Sequence, residues 1–148
     1  MLDDAGWLLD GSVRSKDGVE LSLTYATSIS QIRQQTQAVV KQGWEQIGAK
    51  VRLLEVDSSV FFSTAPGTEE TVQHMYWDAH EYAFSPAGPW PLSYMFRWVS
   101  HDGANIPQAE NDWSQVNEGR YNNPDYDALY DEAAPRLIPI APPSSSSR

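Results

Sequence analysis

The chain has 148 residues, and its hydrophobic content of 41 % and aromatic content of 11 % support one folded domain with a sizeable core. The formal net charge of −10 argues against a nucleic-acid partner, because phosphate binding requires clustered lysine and arginine. The chain contains no cysteine, which excludes disulfides, thiolate metal sites and a cysteine nucleophile.

The N-terminus carries no recognisable targeting or membrane signal. No apolar run in the sequence approaches the ~20 residues of a membrane-spanning helix, so direct membrane insertion is not expected. Residues 1–7 contain Asp3 and Asp4 and lack a basic start followed by an apolar stretch, so they do not form a signal peptide. Taken literally, this N-terminus predicts a chain that stays in the cytosol.

The first half of the chain predicts a β-α-β unit. Residues 1–9 are expected to form a short helix and residues 11–18 a polar turn. The alternating sequence ELSLTYAT at residues 20–27 predicts a strand, and KVRLLEV at residues 50–56 predicts a second strand. Helical spacing over residues 29–47 places a helix between them, so the strands should run parallel with a right-handed crossover.

The spacing of residues in this helix also predicts the face that packs on the sheet. That face has glutamine and lysine opposite it, and it comprises Ile29, Ile32, Thr36, Val39, Val40, Gly43 and Ile47. Gly48 follows at a position where the end of a helix favours a left-handed residue.

The middle of the chain predicts less regular structure. A short helix is expected at residues 60–64, and VQHMYW at residues 72–77 predicts a third strand of a mixed sheet. Residues 78–119 show no sustained period apart from one expected helix at residues 91–99. So long an irregular stretch in a compact domain usually has a functional reason.

The C-terminal part predicts one more helix and a tail. Asn123 is the expected N-cap of a helix that has Pro124 at its first position and ends by Pro135. Residues 139–148 are rich in proline and serine and are expected to be disordered.

Four segments, in this order, resemble the peptide-binding branch of ABC-importer substrate-binding proteins, which includes dipeptide-, oligopeptide- and nickel-binding members. The first is LDDAGW with the KDG turn and ELSLTYA that follow, and the second is QAVVKQGWEQIGAKVRLLEVD. The third is VQHMYWDA, similar to a strand that ends in a tryptophan at the cleft, and the fourth is YNNPDYDALYDEA. Together they cover roughly residues 1–134.

The resemblance implies one lobe of a larger α/β fold. Members of the family have two α/β lobes joined by a hinge, with the ligand enclosed between the lobes. Residues 1–138 would form an incomplete C-terminal lobe of this type II periplasmic-binding-protein-like fold, with a mixed sheet and flanking helices. The chain would then be a truncated or frame-shifted fragment starting at an internal methionine, which explains the missing signal peptide better than a cytosolic role does.

The resemblance also implies a function in transport. The parent protein would be the substrate-binding component of an ABC importer for peptides or similar small solutes. It would be periplasmic, or extracellular and membrane-anchored, and would dock on ABC permease subunits. No cofactor is implied.

Trp77 ends the predicted third strand, where the resemblance places the cleft. Asp78, Glu81 and Tyr82 follow closely, so this segment offers aromatic surfaces beside carboxylates that could hold a ligand ammonium. We expect Trp77 and Tyr82 to be partly exposed on the concave surface between the lobes. The alternative is a set of core aromatic residues followed by a solvated loop.

Two later residues complete the predicted ligand site. Ser85 begins SPAGPWP, where the family often has acidic residues separated by proline, and this departure leaves the ligand class open. Trp113 lies in a loop with polar groups, among them Asn111 and Ser114, that could form a second wall of the cleft. The alternative is a loop held by its own side-chain hydrogen bonds.

Neither a catalytic site nor a metal site is predicted. His74, His80 and His101 lack the close spacing of zinc ligands. The carboxylates of residues 125–132 indicate a solvated helix face rather than a catalytic pair, and no nucleophile elbow or phosphate-binding glycine loop is present. Two alternatives to the transport role stay open: a carbohydrate-binding or carbohydrate-active module, which would suit the aromatic content and acidity, and a non-functional truncated remnant.

Overall fold

A computed structural model describes residues 1–65, 68–85 and 88–137 of the chain. The chain forms two compact units, Met1–Phe84 and Ser85–Arg148. Over the described residues, no helix is both long and apolar enough to cross a membrane. The predicted tail, residues 139–148, lies outside the described residues, so the division of the chain at residue 138 stays a prediction.

The first unit begins with a small antiparallel sheet. Its strands, in order, are β1 (Leu8–Asp10), β2 (Val13–Lys16) and β3 (Val19–Glu20). The helix predicted at residues 1–9 and the polar turn predicted at residues 11–18 are therefore wrong. Asp17 and Gly18 join β2 to β3 with φ values of 52° and 81°, which fit the two-residue hairpin turn that Asp-Gly pairs favour. The preference of the Asp-Gly pair for this turn explains why the chain forms a β-hairpin here.

The second sheet carries the predicted β-α-β unit. Its central strand β4 (Ser22–Ser28) lies between β5 (Lys50–Val56) and β6 (Ala79–Glu81), and all three run parallel. The helix α1 (Gln31–Gln46) connects β4 to β5, which confirms the predicted helix, and Gly48 has the expected left-handed φ of 90°. Over the described residues, the parallel and antiparallel pairings of this unit lie in separate sheets.

The third strand of the parallel sheet is not at residues 72–77, as predicted, but at β6. The residues before it form a turn that follows the short helix α2 (Ser58–Phe61). Met75 interrupts the extended backbone with a φ of 50°, while Val72 and Trp77 both pack in the core. The apolar residues of VQHMYW therefore mark the two buried ends of a turn rather than one face of a strand.

Two buried clusters cover opposite faces of the parallel sheet. Tyr25 packs in one cluster and the next residue, Ala26, in the other, because successive strand residues point to opposite faces. The helix α1 covers the Tyr25 face through Val40 and Trp44. The connection from β5 to β6 covers the Ala26 face, where the buried residues are Val56, Phe61, Val72 and Trp77.

The helix α1 does not pack with its predicted face toward the sheet. Ile32 is 75 % exposed, Val39 69 % and Ile47 51 %. Gln37 is fully buried instead, and its Nε2 donates to the Tyr25 carbonyl at 2.8 Å. Strand carbonyls accept from the amide nitrogen of this polar residue, while its Oε1 has no partner among the described residues. The helix is therefore rotated away from the orientation that side-chain polarity predicts.

The second unit consists of short helices and long loops. The helix α3 (Pro91–Met95) continues into a single 3-10 turn at Phe96–Trp98, and both lie within the predicted helix at residues 91–99. The helix α4 (Pro124–Leu137) extends slightly beyond its predicted end. Its predicted N-cap is confirmed, because Asn123 Oδ1 accepts a hydrogen bond from the Asp125 N–H at 3.0 Å.

Side-chain hydrogen bonds hold the irregular loops of the second unit. The amides of Asn105 and Asn117 are buried, and each donates to two backbone carbonyls. The buried Asp127 carboxylate of α4 accepts hydrogen bonds from the Ser100 N–H, the Ser100 hydroxyl and the His101 N–H, at 2.6–2.8 Å. Burial would raise the pKa of Asp127, but these hydrogen bonds outweigh it and hold the pKa below its ordinary value.

Candidate functional site

The parallel strands of the first unit end at one edge of their sheet. The registers pair Ser28 at the end of β4 with Val56 of β5, and Thr27 with Glu81 at the end of β6. The chain leaves β4 for β5 on one side and returns to β6 on the other side. In open α/β sheets, ligands bind outside the carboxyl ends of the strands at such a switch point, because the loops leaving the two strands diverge there.

Two polar side chains at this edge were missed by sequence reasoning. Ser28 is fully buried, and its hydroxyl has no hydrogen-bond partner among the described residues. Arg33, in the first turn of α1, likewise has a buried Nε without a partner in the described part of the chain. Buried polar groups are nearly always hydrogen-bonded in folded proteins, so such atoms favour a polar group entering from outside. One sequence signal could have identified Ser28 and Arg33: both lie where the first strand of the predicted β-α-β unit joins its helix.

Trp77 is buried rather than partly exposed, so that expectation is wrong. Its side chain is 6 % exposed and stacks on Phe61 of α2, with ring centroids 5.6 Å apart and planes 8° apart. The indole Nε1 donates to His80 Nδ1 at 3.0 Å. Phe61 and the other core residues cover the Trp77 ring. Trp77 therefore packs in the core just before the start of β6 and stabilises this strand. Contact of Trp77 with a ligand stays a prediction.

The two predicted carboxylates are both tied to β4. Asp78 Oδ2 accepts from the Thr24 N–H at 2.7 Å, while the Asp78 N–H donates to the Thr24 carbonyl at 3.0 Å. Glu81 Oε2 accepts from the Tyr25 hydroxyl at 2.6 Å. Burial and the adjacent Glu81 carboxylate raise the pKa of Tyr25. These bonds fix both carboxylates in place, with Asp78 exposed and Glu81 half-buried.

Tyr82 is the half-buried aromatic residue that follows β6. Its ring lies 6.3 Å from that of Phe61 and 5.6 Å from that of Phe62, in edge-to-face geometry. Trp77 and Asp78 therefore precede one short strand, β6, while Glu81 ends it and Tyr82 follows it. Their role in binding is not decided by this geometry and stays a prediction.

The remaining predicted site residues belong to the second unit. Ser85 is its first residue and is exposed. Trp113 is half-buried, and the Arg120 guanidinium lies 5.8 Å from the centre of its ring. Asn111 closes a capping box with Gln108, so hydrogen bonds within the loop hold this region, as the alternative reading expected. Participation of Ser85 and Trp113 in a ligand site stays a prediction.

The chemistry available at the edge of the sheet is that of binding. It offers the Ser28 hydroxyl, the Glu81 carboxylate and the Tyr82 ring, whereas Asp78 lies at the opposite end of β6, beside Thr24. Within the described ranges, no group of three or more histidine, cysteine or acidic residues could hold a metal ion.

Comparison with known proteins identifies relatives of the chain. No protein-family model matches it. The chain is 37 % identical over 98 residues to the oligopeptide-binding protein OppA of Lactococcus lactis subsp. lactis strain IL1403, an alignment that covers 60 % of the chain and 15 % of OppA. A second OppA from Lactococcus lactis subsp. lactis is 29 % identical over 142 residues, which cover 85 % of the chain and 22 % of that protein.

The chain is similar in sequence to oligopeptide-binding proteins. It spans less than a quarter of the length of the curated proteins that it matches. Its described part has the α/β architecture of a type II periplasmic-binding-protein lobe.

Two solved structures show the fold of this chain. The oligopeptide-binding protein of Thermus thermophilus, solved with a pentapeptide, superposes with a TM-score of 0.74 at 21 % identity, over 93 % of this chain and 24 % of that chain. NikA of Brucella suis, solved with Fe(III)-EDTA, has a TM-score of 0.60 at 19 % identity, over 95 % of this chain and 25 % of that one. The two OppA proteins and the Thermus protein are named as oligopeptide-binding proteins.

Proposed function

We propose that this chain contributes part of the second lobe of a solute-binding protein that delivers peptides or similar small solutes to an ABC importer. The carboxyl edge of β4 and β6 forms one wall of the ligand cleft. The observation that carries this proposal is the switch point between these strands, where Ser28 and Arg33 have unpartnered buried polar atoms among the described residues. The kinship with oligopeptide-binding proteins supports peptides as the ligand class.

A peptide presents groups that match this edge. Its amino terminus is a cation that Glu81 can pair with at this edge, because the Tyr25 hydroxyl of β4 holds the Glu81 carboxylate in place. Its backbone can approach the strand edge beside Ser28 and Arg33, and a water molecule can bridge a peptide carbonyl to these buried atoms. Tyr82 can contact a ligand side chain with little demand on its geometry. Trp77 contributes indirectly, because its buried side chain stabilises β6 from the core.

The wider role follows from the same kinship. In the longer protein, the ligand is enclosed between two lobes outside the cytoplasm, and permease subunits receive it. One lobe supplies about half of the contacts, and affinity falls tenfold for every ~1.4 kcal/mol lost. The 148-residue chain alone therefore binds peptides with a dissociation constant weaker than about 1 µM.

The test is a titration of the full 148-residue chain, labelled with ¹⁵N, with a mixture of short peptides. Saturable shifts are expected at the amides of Thr27 and Ser28 and across residues 78–82. A trisaccharide is the control ligand and should cause no saturable shift. Saturable binding of the sugar without the peptides would favour the carbohydrate alternative, and peptide shifts confined to other regions would contradict the assigned edge.

A charge-neutral variant sharpens the assignment of the ligand ammonium. Glu81→Gln should weaken binding of peptides with a free amino terminus and leave N-acetylated peptides nearly unaffected. Glu55→Gln is the matched control, because Glu55 is an exposed carboxylate on the neighbouring strand β5 that accepts a hydrogen bond from Gln34. Equal effects of both substitutions, or an equal loss for acetylated peptides, would contradict the pairing with Glu81.

A further inference from the structure

The strand β6 is only three residues long, so its position on β4 depends strongly on side-chain contacts. Toward the face of β4 that carries Tyr25, Glu81 Oε2 accepts from the Tyr25 hydroxyl at 2.6 Å. On the opposite face, Trp77 Nε1 donates to His80 Nδ1 at 3.0 Å. His80 pairs in register with Ala26, which lies in the same apolar cluster as Trp77. His80 therefore links the middle of β6 to the core.

The hydrogen bond between Trp77 and His80 fixes the protonation state of the imidazole. An indole N–H can only donate, so His80 Nδ1 must accept, and the proton of the neutral ring is then on Nε2. A protonated imidazole carries a proton on both nitrogens and has no acceptor. Trp77 is 6 % exposed, so its N–H has little access to water that could replace His80. Protonation of His80 therefore leaves a buried donor without a partner unless β6 moves.

The surroundings of His80 include aromatic rings from two elements. The ring of Phe61 in α2 lies 6.4 Å away, and the ring of Tyr82 lies 5.5 Å away. The carboxylates on either side of His80 in the chain, Asp78 and Glu81, both accept hydrogen bonds from β4. The strand β4 itself contains no charged residue. These rings displace part of the water around the imidazole, and partial burial disfavours its charged form.

The titratable groups on the connection from β5 to β6 make local contacts of their own. Asp57, before α2, accepts hydrogen bonds from the first turn of that helix. Glu69 and Glu70 are exposed. His74 Nδ1 lies 2.8 Å from the Thr71 hydroxyl, within the turn that precedes β6. His74 is therefore a second half-buried histidine of the same unit, with a different hydrogen-bond partner.

We propose that His80 is a positioning residue that holds β6 in place only while its imidazole is neutral, so that mild acid releases the strand and weakens ligand binding. The effect on the ligand rests on the proposed function, because Glu81 and Tyr82 follow His80 in the chain. Histidine ordinarily changes its charge between pH 5 and 8. The neutral imidazole is present above this range, and its contribution to the order of β6 is lost as the pH falls through the range. The change is local to β6.

Chemical shifts of the ¹⁵N-labelled full chain from about pH 7.5 to about pH 5 test this switch without a ligand. The Trp77 indole N–H, assigned by its absence from Trp77→Phe, should lose its hydrogen-bonded shift as the pH falls. The amides of residues 79–81 should change with it. His80→Asn should remove this response, because the asparagine Oδ1 can accept near the position of Nδ1 and does not titrate. His80→Phe should show the acid form at every pH, and His74→Asn, the matched control, should keep the response.

Peptide titrations at both ends of this pH range test the link to the ligand. The dissociation constant of the wild-type chain should be about threefold or more higher at the acid end, and one proton limits the change to about tenfold per pH unit. His80→Asn should lose this dependence. N-acetylated peptides should show the same dependence as free peptides, because protonation of Glu81 would weaken only peptides with a free amino terminus.

The outcomes separate the switch from the proposed function. A Trp77 indole resonance that stays unchanged over the pH range, or an equal response in His80→Asn, would overturn the switch. A response of β6 that leaves peptide binding unchanged would overturn its control of the ligand. Absence of peptide binding at every pH would contradict the proposed function instead, and the indole titration would still decide whether His80 holds β6.

Discussion

The two units of the chain are stabilised by different kinds of interaction. The first has a parallel sheet with an apolar cluster on each face, and its aromatic rings stack in the core. The second has no strand among its described residues, and buried asparagine and aspartate side chains hold its backbone. We therefore expect the first unit to be most sensitive to lost volume, and the second to lost hydrogen bonds and to acid.

The largest expected effect is a cavity in the first unit. Phe61→Ala should lower the free energy of unfolding by about 3–5 kcal/mol, because Phe61 is fully buried and stacks on Trp77. Urea unfolding followed by circular dichroism measures the loss, and hydrogen exchange should place it in residues 22–81. The neighbouring Phe62→Ala is the control and should cost less, about 1 kcal/mol, because Phe62 is 44 % exposed whereas Phe61 is fully buried. Equal effects would contradict the described core.

The next effect breaks the hydrogen bonds of the second unit. Asp127→Asn should cost about 2 kcal/mol, because Ser100 and His101 donate to its charged carboxylate. Hydrogen exchange should rise in residues 99–105 and at the start of α4. Asp125→Asn, at an exposed position of the same helix turn, is the control and should have a much smaller effect. A uniform loss across both units would contradict the division of forces.

The same carboxylate predicts the acid sensitivity of the second unit. The pKa of Asp127 is lowered in the folded state, so its contribution is present above the unfolded value of about 3.9. That contribution is lost as the pH falls through the folded pKa. Hydrogen exchange measured from pH 5 downward should show the second unit opening first. Asp127→Asn should remove this pH dependence from residues 99–105, and its persistence in that variant would contradict the assignment.

The orientation of α1 is tested by a pair of substitutions in the first unit. Gln37→Ala should cost about 1–3 kcal/mol, because it removes a buried side chain and its hydrogen bond to the Tyr25 carbonyl. Ile32→Ala should change stability by no more than ~0.5 kcal/mol, because its side chain is mostly exposed. Thermal or urea unfolding measures both. The reverse order of effects would restore the face that helical spacing predicts.

The smallest effect concerns the start of α4. Asn123→Ala should lower the free energy of unfolding by about 1 kcal/mol, because the side-chain Oδ1 of Asn123 accepts the hydrogen bond of the Asp125 N–H. Asn123→Ser keeps a capping oxygen and should recover most of this loss in the same unfolding measurement. If serine behaves like alanine, the cap is not what stabilises this helix.

The sequence was most informative where periodicity and burial agree. Residues 50–56 form β5 at its predicted limits, and the long period of α1 identifies the helix within two residues at each end. The cap at Asn123 was predictable because its chemistry is local. The antiparallel sheet was missed because its strands are short and exposed on most positions, so no alternating pattern marks them.

The candidate site was only partly predictable, for a related reason. Residues 77–82 were recognised as a group because they are close in sequence. Ser28 and Arg33 were not, because their burial depends on the packing around them and the proximity of Ser28 to β6 depends on the register of β4. Gln37 shows the same limit, since its burial depends on the strand carbonyls that it meets. The burial of Trp77 depends on Phe61, which lies far from it in sequence.

The position of β5 at the end of its sheet affects whether two chains can aggregate through this strand. In the described sheet, β5 is an end strand, and such strands present unpaired backbone groups that can template amyloid-like growth. Lys50, Arg52 and Glu55 are exposed along it. Charged side chains along an exposed end strand disfavour its edge-to-edge pairing with another chain.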